Sequence, residues 1–503
     1  MQMDSPFEYT TTPIYRGTGT NSAERYLKKL CNRTFLSLWS YSSVFRDQGG
    51  PKEVCDLLVV FYNHVIIFSD KDCVFPETGD INLDWNRWYK KAIKHSVKQV
   101  WGAERWLKEH PENLYIDPKC KQHFPIDLPG ADVAKYHRIV VAHSVLSRCK
   151  KECGGSGSLI LQPNIIGDQH LAEGSNNGLP FHVGQVDPDK GFVHVMDDNT
   201  LTIILQKLDT VLDFISYLEK KERFLSDETS FVMSREEDLL ALYLSNLNEA
   251  DEHCFSDNNK NSFICNVEGG WAQYINSIER HSQIQADKIS YNWDRLIEHF
   301  SETILQGTHY IPNFQSVNES ERALRIMAAE DRLNRRILST WLVDFFDNDV
   351  DEGQRVVRTL KPDQKGCRYY VLILFAHESN ESYEEYRKTR LKCLDAYCLV
   401  TRLRFPDALD IVGMAFEPRN SRGSSEDLMY FNARTWDNEL EKTAKILQTE
   451  LDLPLSNELK VRHYHDNEYP KTINANAVKM KGADRNKPCP CGSGRKFKRC
   501  CGT

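Results

Sequence analysis

EVCDLLVVFYNHVIIFSDKDC, residues 53–73, is two apolar runs with Asn63-His64 between them. Leu, Val, Ile and Phe crowd both runs, which suits strands, and a two-residue turn at Asn63-His64 predicts a hairpin with Tyr62 paired to Val65. That register sets Asp56 opposite Lys71. Strand alternation then puts Asp56, Leu58, Val60 and Tyr62 on the same face as Val65, Ile67, Ser69 and Lys71. A carboxylate and a lysine thus share one face at the open end of an apolar hairpin. Such a pair is either a cross-strand ion pair on a half-exposed sheet or part of an edge that binds a cation.

The flanks bear on that choice. Upstream, NSAERYLKKLCNRTFLSLW (21–39) has helical spacing, with Leu27, Cys31, Phe35 and Leu38 as an apolar stripe. Glu24 sits one turn before Leu27 on the same stripe, so its carboxylate is expected to point toward the sheet, unless it closes a capping box with Asn21. Downstream, DWNRWYKKAIKHSVKQVWGAERWL (84–107) reads as a long helix. Trp85, Trp88, Tyr89, Ala92, Ser96, Val100 and Ala103 face the core. Lys91, Lys94 and Lys98 line a second face, either solvated or suited to phosphates. Gln99 falls on the small-residue side.

The whole chain has 503 residues, too many for one compact core, and 40% apolar with 27% charged content describes an ordinary globular protein. Its net charge of −8 excludes a general basic coat, so nucleic-acid contact must come from local patches. Apolar runs such as LLVVF and VLILF are strand-sized, so no membrane span is expected. MQMDSPFEYTTTPIYRG lacks a basic segment followed by an apolar one, unlike a signal peptide. Fifteen scattered cysteines suggest a reducing, cytoplasmic compartment.

The expected class is mixed, multidomain α/β. Residues 1–130 read helix, hairpin, helix; 131–205 are β-rich; 206–350 are helical; 351–469 form a second α/β block; 470–487 are a polar linker; and 488–503 form a cysteine-bearing end. In the α/β block, RYYVLILFAH and LDIVGMAFEP are strand candidates around a helix over about Tyr383–Thr401. Histidines and acids in FHVGQVDPDKGFVHVMDD show no fixed ligand spacing, and no GxSxG elbow is present.

The chain ends KPCPCGSGRKFKRCCGT. Cys489, Cys491, Cys500 and Cys501 can close a tetrahedral zinc shell, with Gly492 and Gly494 easing the turn between the two pairs. Arg495, Lys496, Lys498 and Arg499 offset the net negative charge of a zinc tetrathiolate. So short a knuckle depends on the metal for its folding energy. These residues resemble the SEC-C motif, which implies a structural Zn²⁺ and a tail that docks a protein partner or nucleic acid. No GxxxxGK[ST] phosphate loop accompanies it, so a translocase motor is not implied.

Within residues 1–130, the helix, hairpin and second helix resemble the PD-(D/E)xK, restriction-endonuclease-like superfamily. The resemblance implies a Mg²⁺- or Mn²⁺-dependent nuclease, with DNA ahead of RNA as substrate. It assigns Glu24, Asp56 and Asp70 as metal ligands, Lys71 as the residue that orients the attacking water, and Gln99 as a supporting site residue. Lys91, Lys94 and Lys98 would contact the phosphates. One position departs from the pattern: Ser69 stands where the superfamily has Asp or Glu. Either a bulge brings Asp70 round, or Asp56 and Glu24 hold the ion alone, or the site is inactive. A nuclease module with large sensing regions and a SEC-C tail is similar to mobile antiviral defence effectors. The alternative is a non-catalytic adaptor that docks a chaperone, ribosome or nucleic acid through the SEC-C tail. Homo-oligomerisation stays open under both.

Overall fold

The computed structural model describes residues 7–9, 14, 22–172, 178–226, 231–255, 264–306, 310–312, 317–362, 366–419, 421, 425–464 and 466–470. A short strand, β1 (Phe7–Tyr9), precedes α1 (Ser22–Trp39). Leu27, Cys31, Phe35 and Leu38 of α1 are all buried, as a 3.6-residue stripe requires. Leu36 has φ 61° and breaks the last turn, so the chain swings directly into the sheet. Three antiparallel strands follow: β2 (Ser40–Arg46), β3 (Lys52–Phe61) and β4 (His64–Lys71).

A long helical stretch then crosses the sheet: α2 (Ile81–Trp88), a π-helical segment over Tyr89–Lys94, and α3 (His95–Glu109). Asp80 caps it, its carboxylate accepting from the Asn82 and Leu83 amides. The seven residues expected to face the core, Trp85 through Ala103, are buried. β5 (Lys135–Ala142) returns parallel to β4.

The β3–β4 hairpin differs from the expected register. Phe61 pairs with His64 and Leu57 with Phe68, so Tyr62-Asn63 form the turn. One further step along the ladder sets Asp56 opposite Ser69, not Lys71. Tyr62 takes the left-handed position (φ 52°), which frees His64 to begin β4 beside β5. The slip is by two residues in pairing, so every side chain keeps its face.

Past α4 (Leu146–Cys153), β6 (Ile160–Ile166) and β7 (His182–Gln185) leave this sheet, and β8 (Val193–Asp197) rejoins it beside β5. The sheet order is β2-β3-β4-β5-β8. A boundary at residue 130 therefore cuts through one sheet: β5 and β8 belong with the hairpin, because their buried Ile139, Val140, Val141 and Val195 are covered by the same core. α5 (Asp198–Lys207) and α6 (Val211–Leu225) follow. Phe35 of α1 packs on both Phe68 of β4 and Phe214 of α6, so α1 and α6 cover one face while α3 covers the other.

β9 (Phe231–Arg235), α7 (Glu236–Ser245) and β10 (Ile264–Val267) complete a second sheet, β10-β9-β6-β7. The helices α8 (Gly270–Ile275), α9 (Ile278–Asp287) and α10 (Tyr291–Leu305) come next. β11 (Tyr310–Pro312), which pairs with β1, precedes α11 (Val317–Ala328) and α12 (Arg332–Phe346). Asp331 caps α12 through the Asn334 amide and splits what reads as one long amphipathic run.

The last block is a four-stranded sheet of β12 (Arg355–Leu360), β13 (Arg368–Phe375), β14 (Asp410–Phe416) and β15 (Glu426–Asn432). α13 (Tyr383–Arg404) starts at a Ser382/Glu385 capping box and covers one face, while α11 covers the other. A Cβ at Gly413 in β14 would lie 2.7 Å from Cys398 Sγ, so glycine is what lets α13 sit this close. α14 (Asn438–Glu450) ends the block. No described helix is long and apolar enough to cross a membrane.

Candidate active site

Four strands of the first sheet finish at one end. β4, β5 and β8 point their carboxyl ends there, and Asp56 of antiparallel β3 lies alongside. In open α/β sheets this is where ligands bind, because loops and helix starts converge beyond the strand ends. Here those positions carry Asp70 and Lys71, His143, and Asp197 and Asp198.

Asp56 Oδ2 accepts the Asp70 backbone N–H at 2.6 Å. Burial raises the Asp56 carboxyl to about 7; the Asp70 amide opposes that shift, and the charges of Glu53, Asp70 and Glu24 add to it. Burial raises Glu53, and the charge of Glu24, only 8% exposed in the first turn of α1, adds to that rise. Three of the sequence-assigned residues, Glu24, Asp56 and Asp70, therefore share one electrostatic neighbourhood, joined by Glu53.

Asp70 lies on the α1 side of β4. Its carboxylate meets the His143 Nε2 proton, and the other ring nitrogen of His143 lies 3.6 Å from Asp198 Oδ2. Burial alone would lower His143, yet hydrogen bonds to Asp198 and Asp70 hold it protonated, up to about 10. Asp198 is lowered by the same contact. Nearby, the Cys31 thiol is pushed up by burial and by the Asp70 charge.

Ser69 takes the opposite face. Its hydroxyl donates to Gln99 Oε1 at 3.4 Å, which joins the β4 edge to α3. The position that carries a carboxylate in the nuclease pattern is thus a neutral hydroxyl. Lys71 closes β4 opposite Ala142 and is partly exposed. On α3 and the π-helical segment before it, Lys91 and Lys98 are exposed, whereas Lys94 is held by Asp168 at 2.7 Å.

The donor set suits a hard divalent cation. Asp56 feels the charges of Glu53, Asp70 and Glu24, and His143 and Lys71 are cations at the same strand ends.

The comparisons with known proteins come down to one short stretch. Residues 485–503 match the SEC-C motif. Motifs of this kind typically bind zinc, and all four cysteines fall inside the match. Cys489, Cys491, Cys500 and Cys501 lie outside the described residues, as do the linker after residue 470 and Asn21. No curated protein and no solved structure matches the chain.

Glu53, His143 and Asp198 are missing from the sequence reading. For His143 a signal existed: it follows directly on the buried parallel strand RIVVA, at the end where such strands present polar groups. Asp198 likewise follows VHVMD and opens α5.

Proposed function

We propose that the chain is a divalent-cation-dependent nuclease whose reaction centre is the carboxylate cluster at the end of the first sheet. The observation that carries this reading is the contact of Asp56 Oδ2 with the Asp70 backbone N–H at the end of the sheet, where the charges of Glu53, Asp70 and Glu24 add to the rise of Asp56. The order of elements supports it: a helix, a three-stranded meander, a crossing helix and a parallel strand, with the acids at the meander's open end. Glu24, Asp56 and Asp70 would hold Mg²⁺ or Mn²⁺. A bound ion would supply Lewis acidity to a phosphodiester and its attacking water. Lys71, partly exposed at the tip of β4, would neutralise charge on the phosphate, and Lys91 and Lys98 would extend a basic face for the backbone of DNA or RNA. His143 holds the Asp70 side chain in place by its contact. The four C-terminal cysteines hold a structural zinc in a docking tail, and a defence role would follow from coupling this centre to the large regions between.

A second reading rests on Ser69 and its bond to Gln99. A neutral side chain in the third acidic position favours a nuclease-like scaffold that binds without cutting and docks partners through the tail.

Incubation of the full chain with supercoiled plasmid, linear DNA and RNA, with Mg²⁺ or Mn²⁺ against EDTA, separates the two. The nuclease reading expects divalent-dependent cleavage that Asp56→Ala and Lys71→Ala each reduce at least about a hundredfold, the scale of a lost catalytic group. Undiminished cleavage by both variants sinks the assignment. Retained binding without cleavage of any substrate selects the adaptor.

A further inference from the structure

The opposite end of the same strands carries a second cluster of a different chemistry. His64 opens β4, His137 lies two residues into β5, and Glu219 projects from α6. In the parallel ladder Ile66 pairs with His137 and His64 with Lys135, so both histidines face the α6 side of the sheet. Their rings stack, with centroids 5.2 Å apart and planes at 14°. His64 Nδ1 lies 2.9 Å from His137 Nε2 and 3.9 Å from Glu219 Oε1. One ligand atom from each of the three falls within 4.8 Å of the other two.

We propose that His64, His137 and Glu219 form a second transition-metal site that takes Zn²⁺, with two imidazole nitrogens and one carboxylate oxygen as ligands. Ligand bonds of about 2.0–2.2 Å in a tetrahedron require donor atoms roughly 3.3 Å apart. The observed separations of 2.9 and 3.9 Å bracket that spacing, so side-chain rotation alone closes the shell. Imidazole and a single carboxylate suit zinc over magnesium, which prefers an all-oxygen shell.

The histidines sit in a buried setting. His137 is 3% exposed, and its Nδ1 has no hydrogen-bond partner among the described residues. Behind it on β8, His194 is 1% exposed and shares its face, since Ile139 pairs with His194. Neither His194 ring nitrogen has a partner among the described residues.

The third ligand has a competitor. Lys135 Nζ donates to Glu219 Oε1 at 2.8 Å. That lysine is half exposed and can swing to water when the metal takes the oxygen. Both His64 and Glu219 line a cleft of about 1660 Å³ between α6, α12 and the last sheet. The remaining coordination position is therefore within reach of water. A site of three protein ligands plus solvent ties β4, β5 and α6 together without closing the metal off.

The site lies a full strand length from the carboxylates, about 20 Å for a strand of this size. It stands whether or not the chain is a nuclease, and the test removes the other candidate centres. The full-length Cys489→Ser/Cys491→Ser/Asp56→Asn protein is titrated with Co²⁺ and assayed for bound metal and visible d–d absorption. One equivalent of Co²⁺ with nitrogen and oxygen ligation, displaced by Zn²⁺ and accompanied by a rise in Tm, is the expected result. His64→Ala and Glu219→Gln added to this background each remove that equivalent. Both positions are partly exposed, so the fold survives, and circular dichroism checks that it does. No bound equivalent in the background protein overturns the site, as does full binding in both added variants.

Discussion

Asp294 on α10 and Asp56 on β3 are both carboxylates set into the interior, and their surroundings differ in sign. Asp294 receives Arg335 at 2.7 Å and Arg332 at 2.9 Å, and those guanidinium groups hold it below the usual range despite its burial. Arg332 goes on to Asp209, and Arg336 to Asp287 and Asp466. This network locks α12 to α10, to the start of α6 and to the segment near residue 466. At Asp56 the neighbours are acids, and the group rises to about 7. Buried charge that is paired fixes geometry, whereas buried like charge left together is a liability that a binding site accounts for.

The sharpest way to break the comparison is on the paired side. Arg335→Ala removes one of the two guanidinium partners of Asp294 and the donor to two buried backbone carbonyls. Loss of a buried, hydrogen-bonded charge costs about 3–5 kcal/mol. Urea denaturation of the variant is expected to show that loss with little change in metal response. A loss below about 1 kcal/mol would mean that the network is not what holds α12.

His143 is the hinge between the two regimes, a cation in contact with Asp70 at the acidic end. Its value stands at about 10, above the 6.5 of a free imidazole. Its contribution is therefore fully present below pH 6.5 and fades as pH rises through about 10. His143→Ala is expected to lower stability by about 2–3 kcal/mol at pH 6, as for a partly buried ion pair. The two proteins should converge above pH 10 in thermal melts. A gap that stays constant with pH would refute an ionic role.

The smallest effect has the opposite sign. Asp56 is raised from 3.8 to about 7, so the folded protein binds the extra proton between those values, and wild-type stability falls as pH climbs through that window. In EDTA, Asp56→Asn is expected to be the more stable protein above pH 7, by on the order of 2 kcal/mol, and equal to wild type near pH 4. Mg²⁺ should raise the Tm of wild type and leave the variant unmoved. A destabilised Asp56→Asn at pH 8 would place Asp56 with Asp294, as a structural acid.

Much of the acidic end was legible from residue spacing. The stripe through Leu27, Cys31, Phe35 and Leu38 carries Glu24 inward, and strand alternation keeps Asp56 and Ser69 on one face whichever turn closes the hairpin. The exact turn was not legible, because Tyr62-Asn63 and Asn63-His64 both serve as two-residue loops. The choice depends on what His64 meets, and its neighbours are Lys135 and His137 on another strand. Glu53, His143 and Asp198 escaped for the same reason: each reaches the cluster by a contact across the sheet rather than by a local pattern.

Local sequence determined the periodic features. These are the apolar hairpin, the amphipathic helices on either side, the strands around α13, and the cysteine spacing of the SEC-C stretch. Each follows from the 2.0- and 3.6-residue repeats or from ligand count, and neither needs distant residues. Tertiary structure alone decided which charges meet. It carried β5 and β8 into the hairpin's sheet, set His143 against Asp70, and stacked His64 on His137. Coulomb energy depends on separation in space, and the chain brings together groups that lie 73 residues apart in sequence.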